Sequence, residues 1–158
     1  MTSKRQRSAG LVGVGYEGHT VEQLIARLHA LGVSRLVDVR LTPLSRKPGL
    51  SKTALEQALG QAGIAYEHRR ELGNPKANRP GFADAGAARE DARSFYSELL
   101  REPAAEQALE AVAAAGRHER VAVLCFEADE DRCHRQVVIQ EIQRRLDLGL
   151  GTTPRGGQ

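Results

Sequence analysis

Short apolar runs alternate along this chain with longer segments whose apolar positions recur at helical spacing. Residues 11–16, LVGVGY, form the first run and read as a short buried strand. Val21, Leu24, Ile25, Leu28 and Leu31 then share one face of a helix. Thr20 stands before them as a cap, Gln23 is placed to close a capping box, and Gly32 fits the end. RLVDVR, 35–40, is the second run. Leu55, Ala58, Leu59 and Ala62 mark the next helix face, with Thr53 and Glu56 as its expected capping box and Gly63 as its stop. IAYEH, 64–68, is a third strand. VAVLCF, 121–126, is continuously apolar, the pattern of a parallel strand covered on both faces. Between the third and fourth strands a polar loop, 70–90, leads into two helices. The first covers about 91–101, and Pro103 opens the second at a position that tolerates proline. Val138, Ile142 and Leu146 give a last helix, 133–146.

This alternation predicts an α/β fold: a mostly parallel central sheet of about four strands with helices on both faces, a Rossmann-like three-layer arrangement. The 158 residues suit one domain. Residues 11–148 are expected to form it, between a basic, flexible arm at 1–10 and a disordered tail at 149–158. In such folds ligands sit outside the carboxyl ends of the strands. Those ends carry Gly15-Tyr16-Glu17-Gly18, Asp38-Val39-Arg40, Glu67-His68 and Cys125-Phe126-Glu127.

Composition narrows the function classes. Hydrophobic residues make up 41% and charged residues 27%, as in an ordinary soluble domain. No apolar run approaches the roughly 20 residues that span a membrane. The start, MTSKRQRSAG, is polar and basic with no apolar signal core behind it, so a cytoplasmic location is expected. Charge is uneven. Residues 1–80 carry 13 Lys or Arg against 6 Asp or Glu, and residues 81–158 carry 10 against 14. A basic half suits an anion, but this excess is thin for nucleic acid, and with 4% aromatic residues base-stacking platforms are scarce.

The densest chemistry lies in CFEADEDRCHR, 125–135. Cys125 and Cys133 are spaced C-x7-C with His134 adjacent. Structural zinc favours two close pairs, so no metal is expected on this spacing, and no cofactor is implied. A reversible disulfide is a second reading, opposed by a reducing cytosol. A thiol catalyst is a third: Cys133 opens the last helix, whose N-terminal end and Arg135 favour a thiolate while the acidic loop opposes it. The plain alternative is a pair of small core cysteines beside a solvated capping turn. The expectation is two reduced thiols, with Cys133 the more reactive and Glu127 and His134 as acid–base partners.

Cations surround the predicted edge. Arg46, Lys47 and Lys52 flank Pro48 and Gly49 in SRKPGLSK, a basic loop running into a helix N-terminus. Asp38 and Arg40 share one face of their strand and are placed either to pair or to address a ligand. Asn74 and Lys76 lie in a turn made by Gly73 and Pro75, and Tyr16 lies in the first strand-end turn. Gly13, Gly15 and Gly18 match the glycine spacing of a dinucleotide fingerprint, yet Gly13 lies inside the strand, which counts against that use.

Taken together, GYEG (15–18), DVRLTPLSRKPGLSK (38–52), ELGNPK (71–76) and CFEADEDRCHR (125–135) resemble the family of domain of unknown function 488, over roughly residues 11–146. The resemblance implies an α/β fold with a shared site at these segments and supplies no reaction. Family members often continue past the last helix into another strand, where this chain has a Gly-rich tail.

The functional expectation is a small anionic ligand, phosphorylated or nucleotide-like, at the carboxyl edge. Arg40, Arg46, Lys47, Lys52, Asn74, Lys76, Arg135 and Tyr16 would hold it, and Cys133, His134, Cys125, Glu127 and Asp38 would supply chemistry. The alternatives are a nucleic-acid-associated accessory protein and a cysteine-based redox or metal sensor.

Overall fold

The computed structural model describes residues 9–43, 45, 48–84, 86–127 and 133–156, with 149–156 described by backbone alone. The expected arm therefore falls outside the described residues except for its last two positions. Four strands form one parallel sheet: β1 (Gly10–Gly15), β2 (Arg35–Asp38), β3 (Ala65–His68) and β4 (Arg120–Cys125). Their order across the sheet is β1-β4-β2-β3. The last strand in sequence thus sits inside, pairing Gly15 with Cys125 on one side and Asp38 with Leu124 on the other.

Alternation along β2 and β4 builds two cores. Val37, Val39, Val121, Val123 and Cys125 point into one, and Leu36, Ala122 and Leu124 into the other. The second is closed by α1 (Val21–Ala30) and α2 (Lys52–Gln61), through Leu24, Leu28, Leu55 and Leu59. The first is closed by α4 (Ala87–Leu99), α5 (Pro103–Gly116) and α6 (Arg135–Gly156), through Tyr96, Leu109, Val112, Val138 and Ile142. Between β3 and α4 lies a five-residue helix, α3 (Arg79–Ala83), which buries Phe82. The result is the three-layer α/β fold that the alternation predicts. Among the described residues, no helix is long and apolar enough to cross a membrane.

The local signals fare differently from one another. The Thr20 box forms as expected: Thr20 accepts from the Gln23 N–H, and the Gln23 side chain accepts from the Thr20 N–H. Gly32 and Gly63 follow their helices at φ 74° and 80°, where a side chain is disfavoured. The Thr53–Glu56 box does not form. The second helix starts two residues earlier, after Ser51, whose hydroxyl instead accepts from the Ser45 N–H and donates to its carbonyl. The 70–90 segment is more ordered than a polar loop: two 3-10 turns, 70–72 and 76–78, precede α3. Here Pro75, Pro80 and the buried Leu72 and Phe82 organise the chain without any long periodic face.

Leu36 is fully buried in β2, in the core that α1 and α2 close. Leu36→Ala should lower unfolding free energy by about 2–5 kcal/mol, read as a fall in the urea midpoint with little change in slope.

Candidate functional site

The carboxyl edge is built by continuing the strand pairing into the loops. Past β1 and β4, the Tyr16 N–H reaches the Cys125 carbonyl and the Glu17 N–H the Phe126 carbonyl, at 3.4 and 2.9 Å. The Val39 N–H bonds the Leu124 carbonyl at 3.1 Å. Three strand ends are thereby held level, and the start of α6 comes back against them. Gly15 makes the close approach possible. A Cβ there would overlap the Glu127 carbonyl and come within 2.8 Å of Arg135 Nη1.

A cleft of about 340 Å³ opens at this edge. Tyr16, Arg40, Asn74, Cys125, Glu127, Cys133 and His134 line it, as do Leu41, Thr42, Arg79, Phe82 and Phe126. Arg40 and Cys133, from different faces of the sheet, thus meet in one cavity.

Arg40 is committed to internal partners. Its Nε and Nη2 donate to the two Asp38 carboxylate oxygens at 2.8 and 2.7 Å, a bidentate pair. Its Nη1 donates to the Leu50 carbonyl at 2.7 Å and to the Tyr16 hydroxyl at 3.3 Å. Tyr66 adds a hydroxyl bond to Asp38 Oδ2 at 2.6 Å. Asp38 is wholly buried behind Arg40 and does not line the cleft. Burial alone would favour loss of the Arg40 proton, but the Asp38 bonds and charge outweigh it and hold the guanidinium above its ordinary value. Burial and the Asp38 bond both push the Tyr66 hydroxyl up. The pair that the shared strand face allows is formed.

Arg135 is buried beneath the cleft instead of lining it. Its Nη1 donates to the Glu127 carbonyl at 2.6 Å and lies 3.4 Å from Cys125 Sγ. It therefore fixes the loop after β4. His134 is buried, and its Nε2 lies 2.9 Å from the Val39 carbonyl. A carbonyl only accepts, so Nε2 carries the proton and Nδ1 is left as the acceptor, 3.7 Å from Cys133 Sγ. Burial, with the nearby Arg79 and Arg135 charges, pushes the imidazole down to about 4 against the pull of the Val39 bond, so it is neutral at neutral pH. Tyr96 packs edge-on against its ring.

The Cys125 and Cys133 sulfurs meet at one point, with their Cα atoms 7.4 Å apart, wider than the range of about 4.4–6.8 Å over which disulfides are found. The C-x7-C spacing says nothing about distance, and this meeting of the two sulfurs is what the structure adds. Both residues are equally shielded, at 2% exposure, so Cys133 is not the more accessible one. Glu127 Oε1 stands 3.8 Å from Cys125 Sγ.

Lys52 and Lys76 are exposed and do not line the cleft, and Arg46 and Lys47 lie outside the described residues. Asn74 lines it, with its Oδ1 accepting from Asn78 Nδ2 at 2.9 Å. Arg79 is the cation that sequence reasoning passed over. It opens α3, and its Nε bonds the Asn74 carbonyl at 3.3 Å. The signal available was only Arg-Pro after an Asn-Pro turn, with no periodicity to place it.

Removing the charge of Asp38 alone should be costly, because Arg40 stays buried. Asp38→Asn should destabilise by about 3–5 kcal/mol in urea denaturation. The double variant Asp38→Asn/Arg40→Met should lose less than the sum of the two single changes, since both partners are then gone.

No curated protein and no solved structure matches this chain. A family model does: Domain of unknown function DUF488, over residues 20–142, a span that begins just past the Gly15–Gly18 turn and takes in the Asp38–Arg40 pair, Arg79, both cysteines and His134. The chain belongs to the DUF488 family.

Proposed function

We propose that the cleft takes a small ligand bearing an anionic group, phosphorylated or nucleotide-like, and that Cys125, Cys133, His134 and Glu127 bring thiol or acid–base chemistry to it. Arg79 carries this reading. It lines the cleft, and among the described residues it forms no ion pair, while the charge of Arg40 is already met by Asp38. A guanidinium with N–H groups to spare suits the forked oxygens of phosphate or carboxylate. The anion contact so proposed is Arg79, at the first position of α3. The place also fits, since ligands of parallel α/β sheets lie beyond the strand carboxyl ends.

The chemical part rests on what stands beside that cation. His134 offers a neutral ring, and Glu127 a carboxylate, on the same cavity. The sulfurs take part as thiols in the reduced protein.

Calorimetric titration with inorganic phosphate and with a nucleoside monophosphate tests the anion site. Arg79→Ala should weaken binding about 10–100-fold, the worth of one or two charge-assisted hydrogen bonds. The fold should be unchanged, because the side chain is exposed. Equal affinity in both proteins would overturn the assignment. A salt dependence steep enough for several phosphates, seen with an oligonucleotide and not with the monophosphate, would instead favour a nucleic-acid role.

A further inference from the structure

We propose that Cys125, Cys133 and His134 form a binding site for a thiophilic divalent cation, zinc foremost, with three protein donors and a fourth position open to the cleft. The inference does not depend on an anion occupying that cleft.

Convergence is the first ground. One donor atom from each of the three residues lies within 4.8 Å of the other two, and all three residues are buried. Cys125 ends β4, and Cys133 and His134 stand at the approach to α6, so strand and helix are each placed to present donors to one point. Histidine orientation is the second. A ligating imidazole usually donates its other N–H to a carbonyl or carboxylate, which fixes the ring and the tautomer. His134 does this with the Val39 carbonyl at 2.9 Å, and its proton-free Nδ1 looks toward the Cys133 sulfur.

The sulfurs are also placed to be anionic. The Arg135 backbone N–H lies 3.3 Å from Cys133 Sγ, and the Arg135 guanidinium 3.4 Å from Cys125 Sγ. Both contacts favour thiolate over thiol. Two thiolates and a divalent ion then cancel in charge, which matters in a buried site.

Backbone spacing points the same way. The Cα separation of 7.4 Å exceeds the range of about 4.4–6.8 Å over which disulfides are found. Two sulfurs on a tetrahedral zinc, each at about 2.3 Å, stand roughly 3.8 Å apart, which suits a wider backbone spacing. Cys2His with one open position is a donor set that catalytic zinc sites use. Glu127, 3.8 Å from the Cys125 sulfur, borders that open side.

Disulfide and metal exclude each other, because both use the same sulfurs. Passing from one to the other requires two electrons from a dithiol or phosphine reductant. The two thiol protons then leave to solvent as the cation binds. The site so described would be loaded only in the reduced protein.

The test uses the full chain, reduced with a phosphine, desalted under nitrogen and titrated with zinc against a chromophoric chelator. One zinc per chain is expected, and none after the disulfide is formed. Cobalt in place of zinc should give thiolate-to-metal charge-transfer absorption and the visible bands of a four-coordinate ion. His134→Ala should weaken zinc binding at least tenfold and shift the visible cobalt bands while keeping the charge transfer. Cys133→Ser should weaken binding at least as much and reduce the charge-transfer intensity. Should either variant fold poorly, the unaltered protein still decides: zinc should slow alkylation of Cys125 and Cys133 at least tenfold, read by peptide mass analysis. A reduced protein that takes up no zinc, or whose thiols alkylate equally fast with and without it, would overturn the proposal. So would a His134→Ala protein with unchanged affinity and spectrum. Loss of phosphate binding in Arg79→Ala bears on neither result, so the two assignments stand or fall separately.

Discussion

The buried pair between Asp38 and Arg40 holds the carboxyl edge together. A charge at the end of a central strand is costly to bury, and each partner here makes the other tolerable. Their attachments matter as much as their mutual attraction. Tyr66 on β3, Tyr16 after β1 and the Leu50 carbonyl before α2 all bond into the pair. One ionic contact thus ties three strand ends and a helix approach to a common point. That arrangement also explains why a conspicuous arginine in the cleft is a wall of the site more than a free hand for a ligand.

The opposite face of the sheet is organised by a different device. Where β2 leaves the sheet, its Val39 carbonyl takes the His134 proton, and where β4 leaves, its loop is gripped by Arg135 through the Glu127 carbonyl. Both grips come from the first turn of α6 and its approach. Strand alternation is what separates the two systems: Asp38 and Arg40 fall on one side of β2 and Val39 on the other. The cleft lies where both reach past the sheet, so the Arg40 guanidinium and a sulfur–imidazole wall face the same space without sharing any residue.

Much of the fold was legible because its signals are local. Apolar runs mark strands, the Thr20–Gln23 box forms from residues three apart, and a continuous run such as VAVLC announces burial on both faces. The Asp38–Arg40 pair was legible for the same reason, being set by alternation alone. The Thr53–Glu56 box failed because Ser51 reached a starting position first. Arg79 escaped notice because a five-residue helix carries no period. The meeting of Cys125, Cys133 and His134 is a different kind of miss. Its distances depend on the path of a turn between strand and helix, and residue spacing carries no information about that path. The basic loop shows the converse: Lys52 is charged, near the edge in sequence, and still turned to solvent.

The strand order has a bearing on how such a chain is made. Of the four strands β1 is synthesised first, yet its sheet neighbour among the described residues, β4, begins only at Arg120. Closing that contact spans more than a hundred residues, and contacts of such long sequence separation slow folding. β2 and β3 can pair early, whereas β1 must wait with its backbone N–H and C=O groups unpaired. On the ribosome, β1 would lack its partner until the residues through Cys125 had been produced. The same late strand that delivers a cysteine to the site also commits the whole sheet.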